Sequence, residues 1–140
     1  MLTKLYKLEH STYLCQYHMV WIPRYRGKVL ADNYIKQELK RIFKFICKWK
    51  GFTIIAWHIG DDHIHLYIII PPKYSLAYAI QVLKSKSAIW LKKKTKKFPQ
   101  GNFWARGYFV STIGINEYVI LNYIKNQDHK RVDLDKMRLF

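Results

Sequence analysis

The eleven residues Gly60-Asp61-Asp62-His63-Ile64-His65-Leu66-Tyr67-Ile68-Ile69-Ile70, closed by Pro71-Pro72, constrain this chain more than any others. A short apolar run rich in isoleucine, entered by a turn and stopped by proline, reads as a β-strand. Side chains on a strand alternate faces. Ile64, Leu66, Ile68 and Ile70 therefore share one face, which has to be covered. His63, His65 and Tyr67 share the other. Two histidines one pleat apart, with about 7 Å between their Cα atoms, can converge on one metal ion. The same spacing also suits two histidines on a half-exposed strand that hold nothing.

The flanking chain supplies the partners such a strand needs. Residues 11–22 carry Tyr, Leu, Val and Trp and predict a first strand, after a basic lead-in over 1–9. Asp32 or Asn33 can cap a helix that runs to Lys50, with Ile35, Leu39, Ile42, Phe43 and Ile46 at helical spacing and Gly51 as its stop. Residues 52–59 predict a strand that pairs with the histidine strand through the Gly60-Asp61-Asp62 turn. Ser75 can cap a second helix reaching Lys94, whose apolar stripe is Leu76, Ala79, Ile80, Leu83, Ser87 and Trp90. A fourth strand is expected over 107–112, and Asn116 can cap a last helix ending near Gln127. The order strand-helix-strand-strand-helix-strand predicts an α+β fold of the ferredoxin-like or RRM-like kind, with an antiparallel sheet and both helices on one face. The histidines then stand on the sheet's open face. The 140 residues fit a single domain, 1–140.

Charge narrows the partner. With 25 Lys+Arg against 9 Asp+Glu, a formal net charge of +16, the chain suits a polyanion, and nucleic acid leads. Arg24, Tyr25, Arg26 and Lys28 form a cationic turn that is either a phosphate clamp or a solvated loop. Lys84 and Lys86 lie on the polar side of the second helix. Lys92, Lys93 and Lys94 begin a basic run at its end, where cations also suit the helix dipole. No run approaches the roughly 18 apolar residues of a membrane span. A signal peptide is not evident either, so a cytoplasmic protein without membrane contact is expected. Cys15 and Cys47 sit on separate elements and form no paired metal motif.

On the last helix, Val119, Ile120, Tyr123, Ile124 and Gln127 fall on one arc about 140° wide. Tyr123 and Gln127 are one turn apart, and Gln127 sits within an apolar stripe, where a buried amide needs a partner. Tyr118 points the other way, so periodicity favours Tyr123 as the tyrosine that faces a site. Judged on this helix alone, a core tyrosine with an incidental hydroxyl partner is the better reading.

Together these features resemble a known family. Asp62-His63-Ile64-His65 resembles the His-hydrophobic-His signature of HUH endonucleases. Tyr123-Ile124-Lys125-Asn126-Gln127 resembles the Tyr-x-x-x-Gln helix of their single-tyrosine transposases, of the insertion-sequence 200/605 type. The likeness extends through Tyr17-His18-Met19-Val20-Trp21 and Arg24-Tyr25-Arg26, and from Trp104 to Gly114. Ile59-Gly60-Asp61 departs from the Met-Pro that relatives often carry, a change expected to alter a turn and not a ligand. The resemblance implies a DNA transposase that cuts and rejoins single strands near hairpins through a 5′-phosphotyrosine link. Tyr123, on the C-terminal helix, would be the nucleophile. His63, His65 and Gln127 would hold one Mg²⁺ or Mn²⁺, and Asp62 would orient a histidine or a metal-bound water. It also implies a homodimer with active sites shared in trans, and a hinge at Gly114. The competing readings are a domesticated relative that processes chromosomal repeats and a non-catalytic RRM-like module that stacks bases on Tyr67.

Overall fold

The structure, a computed structural model, describes residues 5–24, 29–95 and 102–112. Its strands are β1 (Tyr6–Leu8), β2 (Ser11–Tyr13), β3 (Gln16–Trp21), β4 (Thr53–Ile59), β5 (Ile64–Ile69) and β6 (Phe109–Ser111). Its helices are α1 (Asn33–Lys50) and α2 (Leu76–Thr95). The main sheet runs β4-β5-β3-β6, and every pairing is antiparallel. That is the expected ferredoxin-like order, with the histidine strand beside the central β3.

Two features depart from expectation. The basic lead-in carries a strand of its own, because β1 pairs with β2 as a separate two-stranded hairpin. The predicted strand over 11–22 is accordingly two strands, parted at Leu14 and Cys15. There the Cys15 carbonyl accepts from Ile70 N–H at 2.9 Å, at the far end of β5.

The β5 alternation sorts as the sequence requires. Ile64, Leu66, Ile68 and Ile70 pack with Met19 and Trp21 against apolar residues of α1 and α2, so both helices cover this one face. Asp32 caps α1 by accepting from Tyr34 N–H at 2.8 Å, and Gly51 ends it in the left-handed region at φ 76°. Ser75 Oγ accepts from Tyr78 N–H at 3.0 Å at the start of α2.

The helices also meet through polar groups that periodicity did not reveal. Trp90 Nε1 donates to Glu38 Oε2 at 2.8 Å, with Arg41 3.4 Å from the same carboxylate. Trp90 and Leu76 are only half-buried, while Val82 and Leu91 join the α2 core stripe. Trp104 is buried and donates to Ser87 Oγ at 2.8 Å, which ties the segment before β6 to α2.

Candidate active site

The β4–β5 turn is held by three contacts, one within it and two from the chain at or just before the start of α1. Gly60 N–H donates to the His63 carbonyl at 2.9 Å. The Asp61 carbonyl accepts from Leu30 N–H at 3.0 Å, and the Asp61 carboxylate lies 3.5 Å from Lys36 Nζ on α1. On this anchored turn, His63 Nδ1 lies 3.1 Å from Asp62 Oδ1. A carboxylate only accepts, so the imidazole donates from Nδ1. In the neutral ring this leaves the lone pair on Nε2, the arrangement in which a carboxylate orients a metal-binding histidine.

The His63 ring also rests on Gly60. A Cβ at that position would collide with Cε1 and stand 2.7 Å from Nδ1 and 2.9 Å from Nε2. The Gly60 departure therefore does more than alter a turn: it opens the space that the imidazole occupies. Gly60 itself is outside the left-handed region, where only Gly51 and Gly107 lie among the described glycines.

His65 lies one pleat along, facing Val20 on β3 and His58 on β4 in the strand register. Its ring stacks on His18, with centroids 3.8 Å apart and planes 27° from parallel. His18 in turn stacks on Tyr67 at 4.4 Å and 13°. The ring nitrogens of His18 and His65 are all shielded from solvent. His58 is exposed, and its ring lies 5.4 Å from that of His63.

The face away from the helices thus carries two ring groups, His18 and His65 against Tyr67, and His58 beside His63. His18 and His58 were not singled out from the sequence. Strand alternation offered the signal for His18, since Met19 and Trp21 must face the core and leave His18 opposite. Among the described residues, no group of three or more His, Cys, Asp and Glu side chains is placed to hold a metal.

The other expected site residues divide. Tyr123, Gln127, Tyr25, Arg26, Lys28 and Gly114 lie outside the described residues. Arg24 has an exposed side chain, and its backbone N–H donates to the Phe103 carbonyl at 2.9 Å. Lys84 is not a freely solvated polar-face residue. Its Nζ donates to the carbonyls of Ala105 and Gly107, both at 2.9 Å, and burial lowers its pKa. Lys86, Lys93 and Lys94 are exposed and Lys92 is half-buried; Lys94 Nζ lies 4.7 Å from the centre of the Trp90 ring.

The profile of the transposase IS200-like family matches residues 11–127, the greater part of the chain. The chain belongs to the IS200-like transposase family. It is 34% identical over 134 residues to the transposase of insertion sequence element IS200 from Salmonella typhimurium, covering 93% of this chain and 85% of that one. It is 29% identical over 126 residues to the ISDra2 transposase TnpA of Deinococcus radiodurans, covering 84% and 87%.

Two solved structures resemble this IS200-like chain in fold. A crystal structure from Deinococcus radiodurans, assigned as a transposase, superposes with a TM-score of 0.75 at 29% identity, over 87% of this chain and 97% of that one. A REP-associated tyrosine transposase bound to a REP hairpin shares the fold, with a TM-score of 0.55 at 16% identity over 90% and 76%. No helix among the described residues is long and apolar enough to cross a membrane.

Proposed function

We propose that this IS200-like transposase cleaves and rejoins single-stranded DNA beside hairpins at the ends of an insertion element, with Tyr123 as nucleophile. The observation that carries the reading is the pairing of His63 and His65 on the sheet face away from both helices, with Asp62 holding the Nδ1 side of His63. Core packing does not require histidines there, and an oriented imidazole suits a metal ligand.

The donor set fits a divalent cation. His63, His65 and Gln127 would hold Mg²⁺ or Mn²⁺; the mixed nitrogen and oxygen donors make Mn²⁺ the easier occupant. Bound there, the ion would polarise the scissile phosphate. The Tyr123 oxygen forms a bond to phosphorus as the bond from phosphorus to the 3′ oxygen breaks. This leaves a 5′-phosphotyrosine and a free 3′-hydroxyl. The phenol proton has to leave in that step, and its ordinary pKa near 10 calls for help from the charge at the site. The same hydroxyl, or that of a second strand, reverses the step, so rejoining requires no nucleotide triphosphate.

Cationic side chains that remain exposed, such as Lys86, Lys93 and Lys94, are suited to the DNA backbone. A homodimer with active sites completed in trans is part of this reading, as is a cytoplasmic location. The reading of a base-stacking module is less favoured, because one face of Tyr67 is already covered by His18.

The test is incubation with a hairpin-bearing single strand and Mn²⁺, followed by a denaturing gel. Wild type should give cleaved DNA and a protein–DNA adduct, and EDTA should suppress both. His63→Ala and His65→Ala should lose cleavage and keep hairpin binding. Full cleavage by either variant, or in EDTA, would contradict the metal role.

A further inference from the structure

We propose that His18 is a positioning residue for His65: its buried imidazole sets the plane of the His65 ring, and with it the direction of the ligating nitrogen, before any ion binds. The proposal rests on the reading of His65 as a metal ligand. An imidazole coordinates through a lone pair in its own plane, so rotation about its last side-chain torsion swings the nitrogen off target. That torsion is intrinsically broad for histidine, and something has to hold it.

The two candidate ligands are held by different means. His63 has the Asp62 carboxylate and its seat on Gly60. His65 has its closest and flattest ring contact with His18, at 3.8 Å and 27°, beside a tilted one with Tyr67 at 5.4 Å and 40°. His18 is well placed to serve as that surface. It lies on β3, which pairs on both sides, with β5 and with β6. It is 1% exposed, and its own ring is stacked at 4.4 Å on Tyr67, the residue directly opposite in register. His65 is the next residue along that face of β5, a diagonal cross-strand neighbour within reach of ring contact.

A flat ring at position 18 is therefore what His65 needs, and volume alone does not replace it. Two variants separate these properties: His18→Phe keeps a flat face, whereas His18→Leu keeps an apolar bulk without one. Mn²⁺ affinity by calorimetry and the orientation of the metal-free His65 imidazole by NMR are the two readouts, with thermal melting as the check on folding.

The Phe variant should bind Mn²⁺ within about threefold of wild type, while the Leu variant should lose about 10–100-fold, the range seen when a group that orients a ligand is removed. The His65 ring should give one orientation in wild type and Phe, and average between orientations in Leu. Equal Mn²⁺ affinity and equal ring order in folded Phe and Leu variants would overturn the proposal. If His65→Ala binds Mn²⁺ as tightly as the wild type, the metal reading fails instead. The metal-free ring measurement then still decides whether His18 orients His65.

Discussion

On one face of β5, Ile64, Leu66 and Ile68 lose all exposure against the two helices; on the other, His65 and Tyr67 rest on the buried ring of His18. Both faces are well packed, but the contacts differ in kind. The helix side is a continuous apolar core, where any atom removed leaves a void. The far side is a set of polar rings with defined planes, where orientation matters as much as volume. One strand thus carries the fold on its even-numbered residues and the candidate chemistry on its odd-numbered ones, and the two should be separable by mutation.

The difference between the two faces should be largest at Leu66. Leu66→Ala should destabilise the protein by about 2–5 kcal/mol in denaturant titration, with cleavage by the remaining folded fraction retained. A change below about 1 kcal/mol would show that this face is not a tightly packed core.

Gly60→Ala should act in the opposite sense. The Gly60 backbone lies outside the left-handed region, so alanine strains nothing locally, but its Cβ displaces the His63 ring. Cleavage should fall about 10–100-fold with little change in melting temperature. Unchanged cleavage would show that His63 works equally well turned away from Asp62.

Lys84→Met tests the loop that α2 holds in front of β6. Losing two hydrogen bonds to partly solvated carbonyls should cost about 1 kcal/mol, read by thermal melting. An effect on hairpin affinity without loss of stability would instead make Lys84 a DNA contact.

The smallest effect concerns Cys47, whose thiol burial pushes up to about 12. Almost no thiolate then exists near pH 8, and Cys47 should escape alkylation until the protein unfolds. Rapid labelling of the native protein would show that the back of α1 opens.

Much of the fold was legible because β5 alternates with period two and both helices carry caps and apolar stripes at regular spacing. The sheet order and the turn at Gly60 follow from those signals. The break at Leu14 and Cys15 was hidden, since neither glycine nor proline marks it and β1 is too short to show a period. Lys84 looked like a solvated helix residue because its partners, the Ala105 and Gly107 carbonyls, lie more than twenty positions away. At the site, His63 and His65 stood out by their spacing. His18 did not, because a single histidine in an apolar strand acquires meaning only when the register lays it beside β5. Gly60 was read as a turn former, whereas its use is the absence of a side chain under the His63 ring.

Which atom takes the DNA decides whether this protein is a tyrosine transposase. Wild-type protein incubated with a hairpin-bearing single strand and Mn²⁺ can be digested and the nucleotide-bearing peptide sequenced by mass spectrometry. A 5′-phosphate ester is expected on Tyr123 and none on the neighbouring Tyr118, with the adduct absent from Tyr123→Phe. An adduct on another residue, or cleavage by Tyr123→Phe at the wild-type rate, would contradict this expectation.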